Sequence, residues 1–168
     1  MQTKQKLSED QISFFDIFGF LYFPGLLSDR IDQITEEFES VWREYGGGHS
    51  GETHDGTQRS ALVPFPDRSE YLSSLLDDQR VHDTVSSLCG EDFNYTSGDG
   101  NLYVGDTQWH SDGYNTRPVS SIKMAFYLDP VTHDAGALRV IPGSHRVGGP
   151  FAESLQKTFV RKDPSTGH

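Results

Sequence analysis

Cysteine is almost missing from this chain. Cys89 stands alone among 168 residues, so no disulfide can form within the chain and a reducing compartment is expected. Basic residues are scarce beside acidic ones, 14 against 25, which leaves a formal net charge of −11. Nucleic acid and anionic membrane surfaces both call for a basic footprint, so neither is expected as a partner. The acidic excess reads first as plain solubility. Long apolar runs are missing too, since none approaches the ~20 residues of a membrane span. Met1 to Glu9 is polar, without the apolar centre of a signal peptide. These absences together predict a cytoplasmic protein, and the length suits a single domain over 1–168 with a real core. No internal repeat or low-complexity tract interrupts it.

What is present begins as helix. Ser8 followed by Gln11 reads as a capping box, and Gly19 as a C-terminal stop, around a short helix rich in Phe and Ile that should be well packed. Phe20 to Phe23 reads as a short strand ended by Pro24-Gly25. Ser28 should cap a second helix, in which Ile31, Ile34, Phe38, Val41, Trp42 and Tyr45 form one apolar stripe. Gly46-Gly47-Gly48 ends it. The glycine-rich stretch 46–56 contains His49 and His54, but their spacing fits no usual ligand pattern, so a lid over a site is the fairer reading. Arg59 to Pro66 reads as extended and at an edge, because Pro64 and Pro66 cannot sit in a central strand. Ser69 caps a helical stretch through Leu72, Leu75 and Leu76. Val81, Val85 and Leu88 continue helical spacing to Gly90, with His82 on the surface and Cys89 as a small buried residue.

Near Phe93 the period changes. Phe93 to Thr96, Asn101 to Val104, Thr107 to His110, Ser121 to Leu128 and Ala137 to Ile141 read as short strands separated by Gly, Asp and Pro turns. Ile122, Met124, Phe126 and Leu128 are expected to face one way and Lys123, Ala125 and Tyr127 the other, with Ile31, Phe38 and Trp42 packed against the sheet. The expected fold class is α+β: a helical part over about 7–90, a jelly-roll (double-stranded β-helix, cupin-like) part over about 93–150, and a C-terminal segment 151–168.

One stretch carries chemistry, Gln108-Trp109-His110-Ser111-Asp112-Gly113. On an extended strand His110 and Asp112 would share a face, with Cα atoms about 6.6 Å apart at about 3.3 Å per residue. One imidazole and one carboxylate at that spacing can reach a common metal ion. With a second histidine they would complete the two-histidine, one-carboxylate face that holds non-haem Fe(II) and leaves positions open. Seven histidines among many acidic residues would place such a pair about once by chance, so its weight comes from context.

That context resembles the phytanoyl-CoA dioxygenase family of Fe(II)/2-oxoglutarate oxygenases. Three features carry the resemblance. The first is the opening, from Leu7-Ser8 through Phe18-Gly19-Phe20 to Pro24-Gly25-Leu26-Leu27-Ser28. The second is Trp109-His110-Ser111-Asp112-Gly113. The third runs from Leu128-Asp129-Pro130 through Gly136-Ala137-Leu138-Arg139-Val140-Ile141 to Pro142-Gly143-Ser144-His145. The resemblance implies that His110 and Asp112 bind Fe(II), that Gln108 contacts 2-oxoglutarate, and that Tyr103 hydrogen-bonds the same cosubstrate. It implies a structural place for His145, or one near the substrate entrance, rather than iron ligation; His133 reads as solvated. Trp109, Tyr114 and Tyr127 either wall the pocket or simply pack. Asp112 stands where halogenating relatives carry a small residue, so hydroxylation of an unactivated C–H of a small organic substrate, with O₂ and 2-oxoglutarate consumed, is the expected reaction.

The family's second metal histidine and its 2-oxoglutarate arginine lie on later strands, and nothing after His145 matches them. The expectation is therefore an incomplete jelly roll, the N-terminal part of a longer oxygenase, with weak iron binding and some self-association through open edges. Two other readings follow from the same residues: a non-catalytic jelly-roll protein that binds a small molecule, an inactive fragment of such an oxygenase included, and a cupin-type metal enzyme with another chemistry such as isomerisation.

Overall fold

The computed structural model describes residues 6–46, 54–105, 107, 109–110, 121–146 and 148–159. Along them run α1 (Glu9–Phe18), α2 (Ile31–Tyr45), β1 (Ser60–Leu62), α3 (Glu70–Ser74), α4 (Gln79–Cys89), β2 (Gly100–Leu102) and α5 (Pro150–Phe159). Short 3₁₀ turns at Ser28–Arg30, Pro66–Arg68 and Leu75–Asp77 lead into or out of the helices. Among the described residues no helix is long and apolar enough to cross a membrane. The chain divides into two compact units. One comprises Met1–Lys6, Phe23–Gly105 and Phe126–Pro130, the other Leu7–Tyr22, Asp106–Ala125 and Val131–His168.

The first unit is built on the apolar stripe of α2. Ile34, Val41 and Trp42 are buried, while Ile31 and Phe38 are half-buried. Phe38 meets Phe65 at 4.7 Å between ring centroids and Trp42 meets it at 6.2 Å, so one buried phenylalanine receives both. Phe65 in turn lies against Gly100 of β2, where any Cβ would collide with its ring. α2 thus reaches the sheet through Phe65. β1 and β2 pair antiparallel, with Ser60 opposite Leu102, Ala61 opposite Asn101 and Leu62 opposite Gly100.

Side-chain caps set the starts of the next helices. The Ser69 hydroxyl accepts from Leu72 N and donates to Glu37 of α2 at 2.7 Å, tying α3 to α2. Asp78 caps α4, accepting from Arg80 N at 3.0 Å. In α4 the buried positions are Val81 and the polar Asp83, Thr84 and Ser86; Val85 and Leu88 are half-buried. The polar ones have partners. Gln79 donates to Asp83 at 2.5 Å, and the hydroxyls of Thr84 and Ser86 donate to carbonyls one turn back. Ser28, expected to cap the second helix, is instead the first residue of a 3₁₀ turn and makes no side-chain cap bond.

In the second unit, α1 carries the full capping box. The Ser8 hydroxyl accepts from Gln11 N and the Gln11 side chain accepts from Ser8 N, and Gly19 closes the helix at φ 82°. The expectation of a well-packed helix is corrected here, since no residue of α1 is buried and Ile17 is half exposed. Ten residues make under three turns, and the loop at 143–146 meets the C-terminal turn. α5 follows Gly148-Gly149 and has Pro at its first position, where the missing N–H costs nothing. Ala152 is buried on it and Phe151 is exposed.

The strands are where sequence pattern and structure part. Of the expected β candidates after Phe93, only the start of Asn101 to Val104 is paired among the described residues. Residues 20–23, 93–96, 121–128 and 137–141 carry no strand. Alternation marks which side chains turn inward; a strand also requires a neighbour to hydrogen-bond. The inward half survives in part: Ile122, Met124 and Leu128 are half-buried while Lys123, Ala125 and Tyr127 are exposed, although Phe126 is exposed against the pattern. The turns between them hold. Ala135 N and Ala137 N both donate to Thr132 O, and Ser144 N donates to Ile141 O.

Candidate functional site

His110 is described and lies exposed. Trp109 beside it is half-buried, with the Arg139 guanidinium 5.3 Å from its ring centroid. That contact joins the stretch before the candidate ligands to the Gly136–Ile141 segment within one unit. Thirty positions separate the two residues, and a planar cation over an indole face is favourable. Asp112 and Gln108 lie outside the described residues. Among the described residues, no three or more His, Cys, Asp or Glu side chains come close enough to hold a metal ion. By donor chemistry the pair fits: a neutral imidazole and a carboxylate are ligands that divalent iron accepts.

The remaining described histidines have other partners. His54 Nδ1 lies 2.9 Å from the Ser60 hydroxyl, and Ser60 is buried in β1. His82 rests against the Phe93 ring at 5.4 Å. His133 is beside Asp134 at 2.9 Å with both side chains almost fully exposed, the solvated place expected for it. His145 faces the end of α1: its Nε2 lies 3.2 Å from Asp16 O, Arg146 donates to the same oxygen at 3.1 Å, and Gly143 N donates to Phe18 O at 2.9 Å. α1 has no basic residue in its last turn, so this loop supplies the donors and positive charge that a helix C-terminus favours. His145 thus meets the C-terminal end of α1. His49 and His168 lie outside the described residues.

Cys89, expected to be buried, is half-buried, and burial pushes its thiol above the ordinary cysteine value.

Tyr103 follows β2 directly and is 58% exposed. Carrying the β1–β2 register one step further sets Arg59 opposite Tyr103, and the guanidinium indeed stacks 4.6 Å from the ring centroid. Arg59 also donates to Asn101 Oδ1 from Nε at 3.1 Å and from Nη2 at 2.6 Å. Asn101 passes its own Nδ2 hydrogen bond to Asp99 at 2.5 Å. Asp99, Asn101 and Tyr103 alternate along one strand face, the signal that could have marked this cluster before any coordinates. Arg59 could not be assigned to it from pattern alone, because the pairing of β1 with β2 is a tertiary fact.

A family model described as phytanoyl-CoA dioxygenase (PhyH) matches residues 15–163, nearly the whole chain. Neither a curated protein nor a solved structure matches it.

Proposed function

We propose that this chain, which belongs to the phytanoyl-CoA dioxygenase family, is an Fe(II)- and 2-oxoglutarate-dependent oxygenase that hydroxylates an unactivated C–H bond of a small organic substrate. The observation that carries the reading is the span of the family match, 15–163, which runs unbroken across Gln108-Trp109-His110-Ser111-Asp112. The family consists typically of oxygenases using this metal and cosubstrate. The fold that goes with it is a cupin-like jelly roll, to which the β1–β2 pair would contribute.

In this reading His110 and Asp112 hold the iron, and Gln108 and Tyr103 contact 2-oxoglutarate. Iron with 2-oxoglutarate supplies the oxidising power for the C–H bond, with O₂ as the oxidant. The protein's share is geometry and protonation. His110 would offer an imidazole lone pair and Asp112 a carboxylate oxygen. Trp109, stacked with Arg139, restrains the backbone that carries His110.

Anaerobic calorimetry with Fe(II) tests the ligand assignment. His110→Ala and Asp112→Ala should each abolish iron binding, while His145→Ala leaves it intact. Equal loss in all three variants overturns the ligand set, and iron-independent succinate release overturns the reaction.

A further inference from the structure

Arg59 has five N–H donors in a rigid planar fork. Its Nε and Nη2 use one edge on Asn101 Oδ1, and its face lies on Tyr103. Among the described residues no carboxylate neutralises it. What remains is the end-on edge, one N–H from Nη1 and one from Nη2 pointing the same way, the geometry that meets both oxygens of a carboxylate. The side chain is half-buried, so part of its swing is already frozen. Two contacts hold it, and a third holds Asn101. Tyr103 lies under the plane, Asn101 fixes the side-on edge, and Asp99, which only accepts, fixes which end of the Asn101 amide faces Arg59.

A cation held this firmly by neutral acceptors is unusual in a chain of formal charge −11, where carboxylate partners are plentiful. We propose that the end-on edge of Arg59, positioned by Asn101 over Tyr103, is a binding site for the carboxylate group of a small organic acid. One cation with an acidic residue one amide away suits a single negative charge and disfavours a polyphosphate. Two sources share this chemistry: a carboxylate of 2-oxoglutarate, or one on the substrate. The inference rests on the oxygenase reading only for choosing 2-oxoglutarate as one source. Tyr103 then serves as the platform under the arginine as well as a candidate cosubstrate contact.

The test is a titration of the full ¹⁵N-labelled chain, without iron, followed at the Asn101 side-chain amide, which every variant retains. The probes are 2-oxoglutarate, propionate and sodium chloride at matched ionic strength. A saturable shift with a carboxylate and none with chloride is expected. Arg59→Gln should weaken it about 10- to 100-fold, the range of a charge-assisted pair. Arg59→Lys, which keeps the charge and loses the fork, should weaken it about tenfold. Tyr103→Leu covers the case in which Arg59→Gln fails to fold, and should weaken it several-fold. Preference for 2-oxoglutarate over propionate by tenfold or more assigns the site to the cosubstrate; equal affinity assigns it to a carboxylate on the substrate. The proposal is overturned by no saturable shift, by the same shift in chloride, or by unchanged affinity in the folded Arg59 variants. Iron binding at His110 and Asp112 is read in a separate calorimetric experiment, so either proposal can fail while the other stands.

Discussion

The His145 ring nitrogen Nε2 sits 3.2 Å from the carbonyl oxygen of Asp16, across 129 positions of sequence. A carbonyl only accepts, so Nε2 carries the proton in this contact. The loop that follows Ile141 therefore closes the last turn of α1 from outside the helix. Gly19 makes this possible: a Cβ there would collide with the His145 ring, and its φ of 82° is one that only glycine adopts without strain.

Removing the imidazole should loosen α1 without touching the chemistry. His145→Ala is expected to cost about 1 kcal/mol, the worth of one hydrogen bond. Gly19→Ala should cost more, because backbone strain and steric conflict add. Thermal melts followed by circular dichroism would rank the two, and a milder effect of Gly19→Ala would contradict the packing described.

Acid should weaken the Asp78 cluster in a defined window. Arg80 holds the Asp78 carboxyl down to about 2 from an ordinary 3.8, through bonds from Nε and Nη2 at 2.9 Å each, with Arg30 Nε at 3.4 Å. The side chain is only 5% exposed, so solvent screens it little. A depressed carboxyl stabilises the fold fully above its unfolded value of about 3.9, and that stability disappears as the pH falls toward 2. The shift corresponds to about 2 kcal/mol. Asp78→Asn should therefore destabilise the chain by about that much at pH 7 and hardly at all near pH 2. Urea unfolding at the two pH values would check this; an equal loss at both would remove the charge from the explanation.

Trp42 offers a different test. It is buried between Phe38 and Phe65, yet its Nε1 has no hydrogen-bond partner among the described residues. An unpaired buried donor offsets part of what the ring contributes. Trp42→Phe, which keeps an aromatic ring and drops the donor, is expected to cost under about 1 kcal/mol, against about 3–5 for Trp42→Ala. Chemical denaturation of the two variants would measure the difference. A phenylalanine variant as unstable as the alanine one would mean the indole N–H is satisfied after all.

Gln108→Ala should weaken 2-oxoglutarate binding more than iron binding, if Gln108 faces the cosubstrate as proposed. Anaerobic calorimetry with each ligand in turn separates the two effects. Loss of iron with 2-oxoglutarate unaffected would move Gln108 into the metal set.

Much of the helical part was legible in the sequence, because helix signals are local. Ser8 with Gln11, Ser69, Gly46 and Gly90 act within a turn of the residues they cap, so the local sequence is enough to identify each. α5 was passed over, although Gly148-Gly149 before Pro150 and apolar residues at Phe151, Ala152 and Leu155 are the same kind of local signal. The family, too, was legible, since its motifs are short and contiguous.

What the sequence by itself determined, then, is where most of the helices start and stop, the family, and His110 with Asp112 as candidate ligands. Tertiary structure alone decided that Phe65 stands between α2 and Gly100, that Arg59 lies over Tyr103, and that His145 closes α1. These are contacts between residues 23 to 129 positions apart. Composition and periodicity describe a residue's neighbours within a few positions. Which distant partner shares its hydrogen bond or ring face depends on how the chain returns to itself, and that is settled only when the whole unit packs.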